Sequence, residues 1–457
     1  MLTDIFGNDV SLETPAALDS WNKMQIGFLA HAAITPTHLA DVLEREPDFA
    51  LGHAVKGLFY MMLGRRELVQ TAVDAEKTAR SALGKVTSTK RERAFVAALG
   101  LWLAGQSYAA RNRIDDVLNS HPQDSLAMKI SHAMSFILGD KANMRRSVEA
   151  VLPAYEKQHA GRGYLFGCHA FALEETGDYS LAEIAGRTGM LQAPDDAWGL
   201  HAIAHVYDMT GNAKAGIEWL DGRDHAWAHC NNFRYHVWWH KALMYLDQGQ
   251  IDKVLWLYDT EVRKDQTDDY RDISNGTAML SRLELEGVNV GNRWEELADF
   301  SEKRTEDGCL VFADLHYMLA LVGGNRTDAV KSLMRRMHKD AQRSKTDVEK
   351  TMADPGLAAA TGLAAFGEAD YGTAFINLAK ARGSIQTAGG SHAQRDIFER
   401  LTIDAGIRGG FLNEAETILD ERKAKRGGAE DRYAAVRYDM IAAGRGDDAA
   451  TLQLPAE

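Results

Sequence analysis

Disulfide bonds, long disordered linkers and membrane-spanning segments all have little support in this sequence. Its 457 residues include three cysteines, Cys168, Cys230 and Cys309, which are odd in number and far apart. They exclude a disulfide framework and a cysteine-type zinc site. The chain has 8 prolines and no tract rich in serine, proline or glycine, so we expect no long disordered linker. No apolar run approaches the roughly 18 residues of a transmembrane helix, so we expect no membrane partner.

Positive charge is also scarce. Lysine and arginine total 52 against 65 aspartates and glutamates, which gives a net charge of −13. Because no basic stripe is present, we expect no nucleic-acid partner. The first ten residues lack the basic and apolar regions of a secretory signal. Together with the unpaired cysteines, this predicts a cytoplasmic protein.

Helical periodicity is what the sequence has in abundance. Apolar residues recur three and four positions apart, and alternating β-branched runs are almost absent. Two consecutive units align on turn glycines Gly177 and Gly211, and the small residues Ala170 and Ala204 recur midway along the first helix of each. The offset of 34 residues between the two glycines is the period of a tetratricopeptide repeat.

Glycines at similar spacing continue in both directions along the chain. Further turn glycines are predicted at Gly64, Gly105, Gly139, Gly249, Gly287, Gly324, Gly367, Gly410 and Gly444. One helical hairpin cannot bury its apolar face alone, so neighbouring hairpins stack and share a core. We therefore predict an all-α, right-handed superhelical α-solenoid of about ten to eleven tetratricopeptide-like hairpins that forms one domain over 1–457. Residues 1–20 and 445–457 are expected to be atypical caps or frayed ends.

Histidines concentrate in residues 198–240, which contain six of the sixteen in the chain. His201 and His205 are four residues apart, and so are His236 and His240. On a helix this spacing puts each pair on one face. The repeat places both faces on the concave surface, so a pocket is predicted around residues 164–243.

Other side chains are predicted to point into the same concavity. The candidate ligand-binding residues are Trp198, Glu174, Trp239 and Arg395. An aromatic, histidine-rich wall is more typical of a small-molecule site than of a peptide groove. Each residue also has a structural interpretation, because histidine can hydrogen-bond across a hairpin and tryptophan usually packs.

Three kinds of chemistry could use this set. Metal binding would employ His201, His205 and His236 as ligands of a divalent metal cofactor. General acid–base catalysis would pair His201, His205, His236 or His240 with Asp208, Asp272 or Asp314. Nucleophilic catalysis would use Cys230 near His229 and Asn231, although adjacency in sequence is weak support for such a set.

Polar residues later in the chain have both structural and functional interpretations. Asp272 and Asn275 are expected to be N-caps of a helix. Asp314 is expected to face the groove, whereas His316 should pack between helices. Arg395 in the first turn of a helix opposes the helix dipole, so it should have a carboxylate partner or an anionic ligand. It would reach the pocket if the superhelix closed after about one turn.

Several stretches resemble the tetratricopeptide repeat protein 38 family. They are residues 47–54, 195–209, 235–243, 268–276, 286–294, 312–320 and 389–396. The resemblance implies that a set of polar residues belongs to the family pattern, namely His201, His205, His236, His240, Asp272, Asn275, Asp314, His316, Arg395 and Asp396. It implies a shared interior site or a buried polar network, and no established reaction.

The sequence thus favours a cytoplasmic binding protein that holds a protein, peptide or other ligand in its concave groove. The alternative is an enzyme or small-molecule binder that uses a pocket of histidine, tryptophan and carboxylate groups. An open, charged groove would favour the first function, and a closed, aromatic, histidine-lined cavity the second.

Overall fold

The computed structural model describes residues 1–446, and the chain in this range is almost entirely helical. Two short strands, β1 (Leu2–Thr3) and β2 (Asp9–Val10), pair antiparallel at its start. The helices are α1 (Pro15–Leu29), α2 (Thr35–Arg45), α3 (Ala50–Met62), α4 (Arg66–Lys85), α5 (Lys90–Leu103), α6 (Ser107–Ser120), α7 (Ser125–Ile137), α8 (Lys141–Val151), α9 (Arg162–Glu175), α10 (Tyr179–Gln192), α11 (Ala197–Met209), α12 (Ala213–Leu220), α13 (Phe233–Asp247), α14 (Ile251–Leu257), α15 (Tyr270–Leu285), α16 (Arg293–Glu302), α17 (Val311–Gly323), α18 (Thr327–Arg343), α19 (Asp347–Thr351), α20 (Leu357–Gly367), α21 (Tyr371–Arg382), α22 (His392–Arg408), α23 (Leu412–Lys425) and α24 (Arg432–Arg445). Single π-helical turns follow α14 (Tyr258–Val262) and α19 (Met352–Gly356), and short 3₁₀ turns cover Leu152–Ala154, Asp224–Ala226 and Ile385–Ala388.

Successive helices form antiparallel hairpins that stack side by side. Helix α9 packs on α10, α11 on α12, and α13 on α14, and the first helices α9, α11, α13, α15 and α17 pack against one another in that order. This arrangement confirms the predicted all-α solenoid of tetratricopeptide-like hairpins. It also places the first helices, which carry the paired histidines, next to each other.

Most of the predicted turn glycines adopt the left-handed conformation that ends the first helix of a hairpin. Positive φ values occur at Gly64, Gly105, Gly139, Gly177, Gly211, Gly249, Gly287 and Gly410. Two hairpins differ, because Asn325 and Ala369 take the left-handed position in place of Gly324 and Gly367. Gly444 lies inside α24, and the predicted C-terminal cap beyond residue 446 falls outside the described residues.

The first twenty residues form a structured hairpin and the start of α1. Val10 and Leu12 are fully buried in the same core as Trp21. The Ser11 hydroxyl and backbone N–H both donate to the Glu92 carboxylate at 2.8 Å, which ties this segment to α5.

One turn of the superhelix lies against the next. Residues roughly 180 to 250 positions apart touch through loops and helix ends: Glu67 with Arg304, Gly105 with Asp347, Gly139 with Gln386, Glu175 with His392, Tyr179 with Lys425, and Gly249 with Arg432. On the other side, Ala32 and Cys230 form an isolated antiparallel bridge. These contacts narrow the concave surface, so the helices around it line a partly open pocket.

Among the described helices, none combines the length and the hydrophobicity that a bilayer-spanning segment requires.

Gly139 provides a test of this closure. Its φ is +64°, and an added Cβ would lie 1.7 Å from the Gln386 carbonyl oxygen. Gly177 is also left-handed, at +91°, but nothing lies within 4 Å of its added Cβ. Both alanine substitutions should lose about 1–2 kcal/mol from the backbone conformation. We expect Gly139→Ala to lose about 3 kcal/mol or more in urea unfolding, since it also separates the two turns. Equal losses for the two variants would contradict the contact.

Candidate metal and ligand site

The two histidine pairs meet between α11 and α13. In α11 the Nε2 atoms of His201 and His205 lie 2.9 Å apart, and in α13 those of His236 and His240 lie 3.2 Å apart. The ring centroids of His205 and His240 are 4.2 Å apart across the two helices. Each of the four rings offers one nitrogen, and these nitrogens all lie within 4.8 Å of one another.

Hydrogen bonds at the outer nitrogens orient two of the rings. His201 Nδ1 lies 3.2 Å from the Trp198 carbonyl oxygen, and His236 Nδ1 lies 2.9 Å from Asn275 Oδ1. Because both partners are acceptors, each Nδ1 carries the hydrogen and donates it. The inward Nε2 atoms of His201 and His236 therefore present lone pairs to the centre of the cluster.

The other two rings are less fully satisfied. Within residues 1–446, Nδ1 of His205 and Nδ1 of His240 find no hydrogen-bond partner. The fully buried Glu174 carboxylate lies 3.7 Å from His205 Nδ1 and itself accepts no hydrogen bond from the described residues. Buried polar groups are nearly always paired, so these unpaired atoms indicate that this part of the cluster binds a further group.

Burial sets the charge of the cluster. It lowers the pKa of His201, His205 and His240 well below the usual value, and the neighbouring imidazoles lower it further. The pKa of His236 falls to about 4 for the same first reason. All four rings are thus neutral at pH 7, which is the form that binds a metal ion. Burial, together with Glu175 and Asp208, raises the pKa of Glu174.

An interior cavity of about 330 Å³ adjoins the cluster. This volume lies at the lower end of the roughly 300–1,000 Å³ typical of small-molecule pockets. Its wall is mainly aromatic and aliphatic, and includes Phe28, Phe59, Met62, Phe136, Ile137, Phe171, Trp198, Phe233, Tyr270, Leu310 and Phe312. Its polar lining includes His31, Lys129, His132, His201, His236, Arg271, Asn275 and Gln394. One histidine of each pair therefore faces the cavity, while His205 and His240 lie behind.

The cavity extends well beyond the predicted span of residues 164–243, because α1, α3, α7, α15, α17 and the loop before α22 also contribute. Trp198 lies in its wall, whereas Trp239 is buried behind it and stacks on His236 at 5.2 Å. Glu174 contacts the histidine cluster and not the cavity.

The expected pairs of imidazole with Asp208 or Asp314 are absent from the described residues. Asp208 accepts from Arg426, whose Nη2 lies 3.4 Å from Oδ1, and Asp314 accepts from Arg336 Nη1 at 2.9 Å. Arg426 comes from the next superhelical turn and Arg336 from the second helix of the same hairpin. Periodicity within α11 or α17 could not reveal either partner.

The N-cap interpretation of Asp272 and Asn275 is wrong. Asp269 caps α15 instead, and Asp272 lies one turn inside it, where it accepts from Asn232 Nδ2 at 2.6 Å. Asn275 holds His236, as described above. Asp272 and Asn275 are three residues apart and therefore lie on one face of α15. This spacing was the signal in the sequence that both side chains contact the same neighbouring hairpin.

Closure of the superhelix does bring α22 beside α9 and α11. Arg395 donates to the carbonyl of Gly390 and lies 3.3 Å from the Glu175 carboxylate. A carboxylate partner is what we expected for an arginine in the first turn of a helix. It is held there and does not line the cavity. His316 donates from Nδ1 to the Phe312 carbonyl and packs against Phe398, as expected.

Cys230 does not have the properties of a nucleophile. Its thiol lies 3.6 Å from the Ala30 carbonyl oxygen and 3.7 Å from His229 Nε2. Burial raises its pKa to about 12, so the thiol stays protonated.

Sequence reasoning missed His31, Lys129 and His132 in the cavity wall. Lys129 and His132 are three residues apart in α7, whose other polar residues are serines, so this pair on one helical face was the available signal. His31 lies in the α1–α2 loop and stacks on Phe233 at 4.6 Å, a contact that no local pattern predicts.

No protein-family model matches the sequence. Among solved structures, the chain is similar to the human IFIT1 dimer with PPP-AAAA, at 16% identity over 96% of this chain and 97% of that chain, with a TM-score of 0.41. It is also similar to a chain of Naa15/Naa10 bound to HypK-THB, at 12% identity over 94% of this chain and 67% of that chain, with a TM-score of 0.26. Because the sequence identities and TM-scores are this low, no ligand or function is transferred to this chain.

Burial of neutral histidines makes stability depend on pH. The folded pKa of His236, about 4, lies below the ordinary 6.5, so the unfolded chain binds more protons between these values. The metal-free protein should therefore lose stability as pH falls from 6.5 to 4. We expect His236→Gln to reduce this slope by up to about 1.4 kcal/mol per pH unit in denaturant titrations. The same substitution at the exposed His225 is the control, and an equal effect there would contradict the assignment.

Proposed function

We propose that the chain binds a divalent transition metal through His201, His205, His236 and His240 and holds a small molecule in the adjoining cavity. The observation that carries this proposal is the convergence of four imidazole nitrogens within 4.8 Å at the wall of an aromatic cavity. Tetrahedral zinc with Zn–N bonds of ~2.0–2.1 Å separates its ligand nitrogens by ~3.4 Å. The in-pair separations of 2.9 and 3.2 Å need shifts of a few tenths of an ångström, and separations between the two helices, which lie within 4.8 Å, need shifts of up to about 1.4 Å.

The groups around the four rings support a metal site. Metal-bound histidines usually donate their second N–H to a carbonyl or carboxylate, which fixes the ring. His201 does so to Trp198, and His236 to Asn275. A cation at the centre would leave His205 Nδ1 protonated, directed at the Glu174 carboxylate 3.7 Å away. It would also provide the positive charge that this buried carboxylate lacks.

The ligand set limits the metals and their use. Four neutral imidazoles suit zinc, iron, copper or nickel. His201 and His236 border the cavity, so they would hold the metal beside a molecule bound there. Such a metal would supply Lewis acidity or redox chemistry to a molecule bound there. We propose an enzyme on this ground.

A protein or peptide partner along the concave surface is the weaker alternative. The contacts between superhelical turns narrow that surface, and what remains is a small, largely apolar and partly open cavity. The binding role typical of tetratricopeptide solenoids is therefore proposed here for a small molecule. A cytoplasmic location and the lack of a nucleic-acid partner remain predictions; the free thiols of Cys168, Cys230 and Cys309 support the former.

Membership of the tetratricopeptide repeat protein 38 family is proposed as well. Four of the stretches that carry the resemblance, 195–209, 235–243, 268–276 and 312–320, fall on α11, α13, α15 and α17, and residues 389–396 lead into α22. All five stretches contribute residues to the cavity wall or to the histidine cluster. A family defined by these stretches would share this interior site.

Metal analysis of purified, untagged protein tests the proposal. We expect about one equivalent of zinc, iron or another divalent transition metal per chain, and its loss from the His201→Ala, His205→Ala double variant. The control is His225→Ala, which alters an exposed histidine outside the cluster and should retain the metal. Absence of metal after growth in supplemented medium, with no rise in Tm on adding zinc or iron, would refute the site.

Glu174→Gln distinguishes a counter-ion of the metal from a structural residue. In the metal-free protein, the pKa of the Glu174 carboxyl is higher in the folded state than in the unfolded state. This difference stabilises the folded protein at a pH below the unfolded pKa, and the contribution is lost as the pH rises. At pH 8 the metal-free variant should therefore be more stable than the parent, by about 1 kcal/mol. Its metal affinity should fall about 10- to 100-fold in chelator competition.

The neighbouring Glu175 offers a matched control for this experiment. Its carboxylate accepts from the His392 backbone N–H at 2.7 Å and pairs with Arg395. Glu175→Gln should therefore destabilise the metal-free protein. A Glu174→Gln protein that is destabilised in the same way, with unchanged metal affinity, would contradict the role given to Glu174.

A further inference from the structure

Lys129 places an ammonium group in the wall of the cavity. The residue belongs to α7, is only 3% exposed and lines the interior space. Its Nζ lies 3.8 Å from the Cys168 sulfur and 4.9 Å from the centroid of the Trp198 ring. Within residues 1–446 it forms no ion pair with a carboxylate at 4 Å or less.

Other buried cations within residues 1–446 have such a partner. So does the partly exposed Arg271, which also lines the cavity and donates twice to Asp269 at 2.8 and 2.6 Å. Lys241 is 9% exposed and lies over Trp238, much as Lys129 lies over Trp198, but its Nζ is 2.8 Å from Asp221. Since buried charges are normally paired, Lys129 stands out as an ammonium that lacks an anion.

The neighbours of Lys129 do not supply a firm negative charge. Burial raises the pKa of the Cys168 thiol to about 11, so the thiol is neutral. Burial also raises the pKa of Asp196 to about 7, while Lys129 lowers it. Asp196 Oδ2 caps α11, where it accepts the Gly199 N–H at 3.1 Å. Its Oδ1 has no hydrogen-bond partner among the described residues, but neither oxygen lies within 4 Å of Lys129 Nζ.

Trp198 connects this ammonium to the histidine cluster. Its ring centroid lies 4.9 Å from Lys129 Nζ and 4.9 Å from the His201 ring. Phe233 lies beside it, at 5.4 Å from Trp198 and 5.1 Å from His201. A molecule beside this indole thus has a positive charge, the aromatic faces of Trp198 and Phe233, and the histidine cluster all within reach.

We propose that the cavity binds a small organic carboxylate, with its carboxylate paired to Lys129 and its apolar body lying along Trp198 and Phe233 towards His201 and His236. A charge-assisted hydrogen bond to the ammonium orients the ligand, and the aromatic wall excludes more polar acids. The inference rests on the proposed function only in that the far end of the ligand is the part presented to the metal.

Calorimetric titration with 2-naphthoate and its neutral isostere 2-naphthamide, at fixed ionic strength, tests this ligand class. We expect the parent protein to bind the carboxylate at least about tenfold more tightly than the amide. Lys129→Met should reduce this preference to less than about threefold. Lys241→Met is the matched control and should leave the preference unchanged, because Lys241 has its own counter-ion and lies outside the cavity.

Thermal unfolding separates binding from a structural role of Lys129. Removal of a buried charge without an anion should leave the Tm of ligand-free Lys129→Met at or above that of the parent. Addition of 2-naphthoate should raise the Tm of the parent and not that of the variant. Equal binding of the two probes, no binding of either near 1 mM, or a lowered Tm with unchanged preference would each overturn the proposal.

The titrations are run on chelator-treated and on metal-loaded protein. Lys129-dependent binding of the carboxylate to the chelator-treated protein upholds this inference even if metal analysis refutes the histidine site. Loss of the carboxylate preference in metal-containing protein refutes this inference and leaves the metal site standing.

Discussion

Contact between successive turns of the superhelix is the constraint on which the rest of the structure depends. A single turn of stacked hairpins would expose the concave faces of α11 and α13 to water. The loops that meet at Gly105 with Asp347 and at Gly139 with Gln386 narrow that surface, and a partly open cavity remains beside the histidines. The neutral state of the histidine cluster depends mainly on burial, because burial is the largest cause of each lowered pKa.

Enclosure also explains why the cluster is suited to a cation. Four neutral imidazoles and one buried carboxyl, Glu174, share a space in which neither imidazolium nor an unpaired carboxylate is stable. A divalent ion satisfies both kinds of group at once, since it takes lone pairs from the rings and provides charge for the carboxylate. In the adjoining cavity Lys129 likewise has a charge without a counter-ion, and an anionic ligand would pair with its ammonium.

The sequence predicted the parts of the structure that depend on local spacing. The 34-residue period predicted the hairpins, and the i, i+4 histidines predicted that each pair shares a face. It could not predict contacts formed by closure. Arg426, more than 200 residues away in sequence, pairs with Asp208, so that carboxylate is not available to the histidines. His31 lines the cavity from the loop between α1 and α2. The role of Asn275 needs a different explanation: its partner His236 lies on the neighbouring hairpin, and position near the start of a helix alone favours a cap.

Anomalous diffraction from a crystal grown with zinc or ferrous iron tests the central claim most directly. Our account predicts one strong peak between α11 and α13, about 2.0–2.2 Å from nitrogens of His201, His205, His236 and His240. His205 Nδ1 should then donate to Glu174. A cluster without a peak, with the imidazoles hydrogen-bonded to one another as two pairs, would contradict the account and identify the histidines as a structural polar network.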